Sequence, residues 1–208
     1  IESQIGPVFI NGNILDCAAW LFFLAPWTQR ALRSRFGDQA EGKSSLLPNI
    51  VSYAGTGERR APAHSNRFVT AVRFDARIFK SKHLDTLIRA FDMACGQLGD
   101  LRLDIAGGGA SANRAEAERL IASLRSAGKI HFIGELPNDR FCAMLPDYAA
   151  FIRPSYPETF GMVYLESLFA GLPILHAKDT GIDGYFPKLD FAVGVDHRQV
   201  ADVARGIV

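Results

Sequence analysis

Beyond residue 66, hydrophobic positions along this chain follow two alternating patterns. Short, largely apolar runs have the length and β-branched content of strands buried on both faces: Phe68–Arg73, Leu101–Ala106, Lys129–Ile133, Ala149–Arg153, Leu172–His176 and Phe191–Val193. Between them lie longer stretches whose apolar residues recur every three or four positions, as one face of a helix requires. These predict helices over Leu84–Cys95, Asn113–Ala127, Asn138–Leu145, Phe160–Ala170 and Arg198–Arg205, with a weak turn near Ile182–Phe186. Strands alternating with helices predict an α/β fold, a Rossmann-like doubly wound parallel sheet whose ligands bind at the carboxyl ends of its strands.

Before residue 67 the pattern is mixed. Trp20–Ala25 reads as a buried strand, Thr28–Arg35 as a short basic helix ending near Gly37, and Ser45–Val51 as an extended piece with a turn signal at Pro48-Asn49. Residues 55–66 are rich in Gly, Pro, Ser and charge, which marks a linker. The expected division is 1–57, a linker at 58–66, and a main domain over 67–208. The chain opens on Ile1 rather than Met, and Val200 to Val208 read as an unfinished helix, so a piece of something longer is expected.

Composition narrows the class. With 208 residues, 48% hydrophobic and 22% charged, the chain can bury a substantial core. A formal net charge of +1 and the lack of a long Lys/Arg run argue against a nucleic-acid partner. Cys17, Cys95 and Cys142 are odd in number and widely spaced, which points to a reducing compartment and away from zinc. Ala18–Pro26 is too short to span a bilayer and lacks the flanks of a signal peptide. Attachment to a membrane surface stays open.

The loops after the strands carry the candidate chemistry. Arg73 opens a long cationic loop containing Lys80 and Lys82, either of which could reach inward, and Arg73 with a lysine could clamp a diphosphate. Solvated surface cations are the plain alternative. Gly107-Gly108-Gly109 would let backbone approach a ligand closely, although a full G-x-G-x-x-G is absent and an ordinary strand-to-helix turn explains the run nearly as well. The histidines lack metal-ligand spacing, and no G-x-S-x-G surrounds Ser155 or Ser167.

The stretch from Pro154 to Pro173 holds two carboxylates, Glu158 and Glu166, around the start of a predicted helix. If the stretch is continuously helical they lie roughly 12 Å apart along the axis, too far for a glycosidase pair. That spacing suits two groups gripping opposite ends of one elongated ligand. The free N–H groups of a helix N-terminus between them suit a phosphate. The plain readings are an exposed helix glutamate for Glu166 and a dipole-stabilised one for Glu158.

Pro154-Ser155, Pro157-Glu158, Phe160-Gly161, Glu166-Ser167 and Gly171-x-Pro173 together resemble the Glu-x7-Glu signature of retaining GT4-like glycosyltransferases of the GT-B fold, the glycosyl transferases group 1. Arg73 followed by Lys82-His83-Leu84 to Phe91 is similar to that family's phosphate-binding segment. Leu103 to Gly109, His131 to Leu136 and Leu47-Pro48-Asn49 resemble three further motifs in the same order. The resemblance covers about Trp20 to the end and is strongest over the family's C-terminal, donor-binding domain. Val72 and His83 stand where glycines are usual, and Ile50 follows Asn49 in place of another.

The resemblance implies transfer of a sugar from a nucleotide-diphosphate sugar, a UDP- or GDP-sugar, with retention and without a required metal or other cofactor. Arg73 and Lys82 (or Lys80) would hold the diphosphate with backbone N–H groups around Phe160, Gly161, Met162 and Val163. Gly107 and Gly109 would line the donor site, Glu166 would accept the ribose hydroxyls, Glu158 would bind the sugar, and Leu136 would lie against the base. The acceptor, whether a glycan, a lipid-linked molecule or a small molecule, would meet an N-terminal domain mostly missing from the sequence, and this fragment alone is expected to be inactive. The implied location is cytoplasmic, with the inner face of a membrane as an alternative. A non-catalytic GT-B-like scaffold or acceptor-recognition subunit is the rival reading, and a generic nucleotide-binding Rossmann-like domain a blander one.

Overall fold

Six parallel strands form the central sheet, in the order β5-β4-β3-β6-β7-β8. The computed structural model describes residues 12–37, 42–51, 66–75, 79–109, 111–186 and 190–208. Its strands are β3 (Arg67–Ala71), β4 (Arg102–Ala106), β5 (Ile130–Gly134), β6 (Ala150–Arg153), β7 (Ile174–Ala177) and β8 (Ala192–Val195). Counted from β3, the first three strands run outward one way, and the next three run outward the other way from β3's opposite edge. The reversal between β3 and β6 is the switch point at which such sheets open a crevice. The doubly wound α/β arrangement expected from the sequence is the one found.

Both faces of the sheet are covered, which is why its strands read as apolar runs rather than as alternating ones. Neighbouring residues point to opposite faces. On β3, Phe68 joins the core beneath α3 (Leu84–Leu98) and α7 (Val200–Ile207), and Val69 joins the core beneath α5 (Asn138–Met144) and α6 (Met162–Phe169). On β6, Ile152 and Phe151 divide in the same way, as do Leu175 and Ile174 on β7. The helix α3 buries Leu84, Leu87, Ile88, Phe91, Ala94 and Cys95, a stripe at helical spacing, and ends at Gly99, whose left-handed backbone returns its N–H to the Cys95 carbonyl.

A polar cluster lies inside this core. Asp104, midway along β4 and nearly buried, accepts at Oδ2 from Arg67 at 2.6 Å and from the Tyr148 hydroxyl at 2.8 Å. The Arg67 guanidinium also lies over the Tyr148 ring.

The N-terminal part is a small βαβ unit. After a short helix α1 (Gly12–Cys17), which no periodicity announced, β1 (Leu21–Phe23) pairs in parallel with β2 (Ser44–Leu46) through α2 (Pro26–Phe36). It touches the main sheet's loops where Tyr185 donates its hydroxyl to the Leu24 carbonyl at 2.9 Å. The expected linker falls almost wholly at residues 52–65, outside the described residues.

Several predicted ends move. The helix expected over Asn113–Ala127 is α4 (Ser111–Ala122), because Ser123 turns its N–H and hydroxyl back to the Leu120 carbonyl. The strand expected from Leu172 begins at Ile174, since Pro173 has no N–H to give a ladder. The helix expected from Phe160 begins at Met162, after Gly161 takes a left-handed φ of 84°. Glu158 therefore precedes the helix, and the continuous helical path between the two glutamates does not exist.

Candidate functional site

The carboxyl ends of β3, β4, β5 and β6 open into a cavity of about 540 Å³. Each wall follows from a strand end. Past β3 stands Arg73, exposed; past β4 stand Gly107 and Gly108; past β5 stands Leu136; β6 ends in Arg153, and past it stands the start of α6 with Val163 and Glu166. A second space of about 400 Å³ adjoins it, bounded by Glu158, Phe160, Gly161 and Met162, and on the other side by Leu24 and Asn49 from the ends of β1 and β2. The two spaces share Lys82, Arg153, Val163 and Glu166.

Glu158 is the most constrained member. Its Oε2 accepts from Lys82 Nζ at 3.0 Å, from Arg153 Nη2 at 2.8 Å and from the Ser155 hydroxyl at 3.1 Å. Its backbone is held as firmly: the Glu158 N–H donates to Thr180 Oγ1 at 2.7 Å, while its carbonyl accepts from the same hydroxyl at 2.9 Å and from the Gly181 N–H at 2.8 Å. Burial alone pushes the carboxyl pKa up, but Arg153 and then Lys82 outweigh it and hold it below the ordinary glutamate value. For Lys82 burial and the Arg153 charge lower the pKa, against the partial support of Glu158.

Lys82 arrives through a tight structure. The single 3-10 turn Lys80–Lys82 ends at His83, whose φ of 48° and ψ of 40° are left-handed, a conformation that glycine adopts without strain. The resemblance expects glycine at that position, and the backbone gives the reason. His83 holds it with an imidazole at 3.0 Å from the Tyr156 carbonyl, Nε2 donating, while the Tyr156 N–H donates to the Ser81 carbonyl, which also lies 3.1 Å from the Ser155 hydroxyl whose one proton is shared with Glu158. The turn that carries Lys82 is thereby fastened to the loop that carries Glu158. Lys80, on the same turn, is exposed and outside both spaces.

The helix α6 presents its N-terminus to both spaces. Its first two N–H groups have no carbonyl one turn earlier to bond, while the Tyr164 N–H already donates to the Gly161 carbonyl at 3.0 Å. Gly161 itself is required by packing, since a Cβ there would stand 2.4 Å from the buried Tyr164 ring. Glu166, one turn on and half-buried, accepts from Asn138 Nδ2 at 3.3 Å. Phe160 is buried beneath, edge-on to Tyr185, so only its backbone is available to a ligand.

The glycines after β4 have another use besides a ligand. A Cβ on Gly107 would stand 1.7 Å from the Val72 carbonyl oxygen, and one on Gly109 would stand 3.3 Å from the Phe74 nitrogen. Both clearances serve the chain's own crossing of β3 and β4. Gly107 also borders the large cavity, whereas Gly109 does not.

Three contributors escaped the sequence reading. Arg153 closes an apolar strand, and a cation there, 10% exposed, needs a buried partner, which was the available signal. Thr180 and Asn138 carry no such mark. Among the described residues no group of three or more His, Cys, Asp or Glu side chains gathers where it could hold a metal ion. No helix among them is long and apolar enough to cross a membrane.

The sequence profile of the family described as Glycosyl transferases group 1 matches residues 68–207. The chain belongs to this family. Among curated relatives of this group 1 chain, the phosphatidylinositol N-acetylglucosaminyltransferase gpi3 subunit of Schizosaccharomyces pombe is 25% identical over 144 residues, 69% of this chain and 31% of the relative. The D-inositol 3-phosphate glycosyltransferase of Acidothermus cellulolyticus is 32% identical over 118 residues, 53% of this chain and 26% of the relative. Among solved structures, a mutant of S. aureus TarM in complex with fondaparinux, alpha-GlcNAc-glycerol and UDP superposes with a TM-score of 0.72 at 13% identity, covering 93% of this chain and 37% of TarM. That likeness establishes a shared fold. The chain spans about a third or less of the curated relatives it matches.

Proposed function

We propose that this chain carries the donor-binding part of a retaining glycosyltransferase that moves a hexose-type sugar from a nucleotide-diphosphate sugar to an acceptor in glycan or glycolipid synthesis. The observation that carries the reading is the convergence of Lys82, Arg153 and Glu158 beside the N-terminus of α6, with Glu166 facing the same space from one turn further along. In this reading residues 67–208 form the donor domain, residues 1–57 are the end of the acceptor domain, and 58–66 link them.

The diphosphate lies against the first N–H groups of α6, with Arg73 and Lys82 as its cations. Glu166 accepts from the ribose hydroxyls, Leu136 lies against the base, and Glu158 accepts from hydroxyls of the sugar. In the transfer the bond between the anomeric carbon and the phosphate oxygen breaks and its electron pair stays on the diphosphate. The acceptor oxygen forms the new bond on the same face and gives up its proton to the departing diphosphate oxygen. Cations and N–H groups already in place stabilise the departing charge, which is the main contribution this half makes to rate. The names of the relatives and the UDP bound in TarM support a nucleotide donor. The acceptor, and any docking at a membrane surface, belong to the full-length protein.

Calorimetric titration of the full-length protein with UDP and GDP tests this. Micromolar binding of one, weakened about tenfold or more by Glu166→Gln, is expected, since one charged hydrogen-bond partner contributes about 1.5 to 3 kcal/mol. A folded protein that binds no nucleoside diphosphate would overturn the reading.

A further inference from the structure

Glu158 has two cations, one more than its charge requires. Lys82 and Arg153 both bond Oε2, and neither is well exposed: their side chains are 15% and 10% accessible. Two positive charges against one negative in a nearly dry place are unfavourable unless another anion completes the set. Glu166 stands near enough to act on Arg153 but gives its own oxygen to Asn138.

The two cations are mounted differently. Lys82 sits on a single turn at the lip of both cavities, on a flexible four-carbon stem, with three donors and Arg73 as a neighbour. Arg153 is embedded. Its guanidinium lies over the rings of Tyr164 and Phe151, at 5.0 and 5.9 Å, its Nη1 approaches the Ala71 carbonyl at 3.4 Å, and its own carbonyl accepts from the Tyr164 hydroxyl at 2.6 Å. Its Nε is buried without a hydrogen-bond partner. A guanidinium so packed cannot leave Glu158, whereas the lysine ammonium can rotate away.

We propose that Arg153 is a positioning residue that keeps the Glu158 carboxylate in place while Lys82 transfers from Glu158 to the incoming diphosphate. The inference rests on the donor-site reading above and adds a division of labour to it. Before ligand binds, Lys82 is parked on Glu158. The diphosphate then supplies the anion that the excess cation lacks, and Glu158 keeps its position for the sugar because Arg153 stays. Without Arg153, Lys82 would be the sole counter-charge of a buried carboxylate, and drawing it off would leave that carboxylate unpaired.

UDP and GDP are the probes, because they present the diphosphate without the sugar that Glu158 would touch. In the full-length protein, Arg153→Gln is expected to weaken binding about tenfold or more, the scale on which a buried charge resists losing its last partner. Adding Glu158→Gln releases Lys82 from its trap, so the double variant is expected to recover to within about threefold of Glu158→Gln alone, a coupling that a double-mutant cycle reads directly. A merely structural role predicts the same loss with or without the carboxylate. Unchanged binding in Arg153→Gln, or a loss that persists in full in the double variant, would overturn the proposal while leaving the donor site standing. A folded wild-type protein that binds neither nucleotide would remove the donor reading and this inference with it. Should Arg153→Gln not fold, the same cycle is read with Arg153→Lys, which lacks the stacked guanidinium: a loss of affinity that disappears in the Glu158→Gln background is expected, and no loss, or a loss that persists there, would count against the proposal.

Discussion

Lys82 Nζ stands 3.0 Å from Glu158 Oε2 across 76 positions of chain. The ammonium is held in a space that burial and Arg153 make less favourable for its charge, so it loses its proton below the ordinary lysine range. Above that point it has no charge to offer a diphosphate. Affinity for UDP or GDP is therefore expected to fall with rising pH earlier than a solvated lysine at about 10.4 would allow. Lys82→Arg, which stays charged, should move the fall to higher pH. Fold stability moves the other way: between the lowered folded value and the unfolded one, the unfolded chain holds more protons, so stability from this group rises with pH. The groups acting on it are Glu158, Arg153 and Arg73. Titrating affinity and melting temperature against pH on the same samples checks both signs, and an identical alkaline limb in Lys82→Arg would assign it elsewhere.

His197 stacks on Tyr156 with centroids 4.1 Å apart and planes 7° from parallel, and its other neighbour is the His83 ring at 4.5 Å. Burial, then the His83 charge, push its pKa down to about 4, with Arg198 adding to the effect and Asp196 opposing it. A folded value below the unfolded one of about 6.5 means that its share of stability is fully present above that pH and declines as pH falls towards 4. His197→Phe keeps the stack and removes the titration. Melting temperature is expected to drop by a few degrees less between pH 7 and pH 5 in the variant than in the wild type, and equal drops would show that His197 contributes nothing.

Gly107 combines a φ of 144° with a Cβ direction blocked at 1.7 Å by the Val72 carbonyl. Gly107→Ala must displace backbone at the ends of two paired strands. A loss of about 2 to 4 kcal/mol is expected, read from urea denaturation midpoints. A loss below about 0.5 kcal/mol, the scale of an ordinary surface change, would mean that the strand ends relax freely.

Tyr148→Phe separates the ring from its hydroxyl. The ring still lies under Arg67, but Asp104 loses its 2.8 Å donor and keeps only Arg67. With one buried partner gone, a cost of about 1 to 3 kcal/mol is expected, measured by the same denaturation with nucleotide affinity unchanged. A change in affinity without one in stability would place Tyr148 in the site instead of the core.

The sheet could be read from the sequence because parallel strands covered on both faces have to be apolar throughout, and Phe68-Val69 and Phe151-Ile152 carry that requirement residue by residue. Helix ends were less legible. Ser123 stops α4 through a bond to Leu120 that no periodicity encodes, and Gly161 delays α6 by taking a left-handed turn. In the site, Arg73 and the lysine pair Lys80 and Lys82 stood out after a strand end, and Glu158 and Glu166 around a helix start, with the choice between the two lysines left open. The pairing of Lys82 with Glu158 did not, because it depends on how the turn Lys80–Lys82 is fastened to Tyr156. Arg153 was hidden inside a strand where charge is ordinarily excluded, and Thr180 acts through a hydroxyl that looks like any other in a loop.

Thr180 gives that loop a mechanical property. With the Glu158 N–H and carbonyl both tied to one hydroxyl, and the carbonyl also to Gly181, the main chain there cannot turn in either direction. The carboxylate is held in turn by Lys82, Arg153 and Ser155, so the residue is a short arm set on a fixed pivot. The backbone entropy of placing that arm is lost when the protein folds, not when a ligand arrives. A ligand that meets Glu158 therefore finds one carboxylate already placed and has no loop to order.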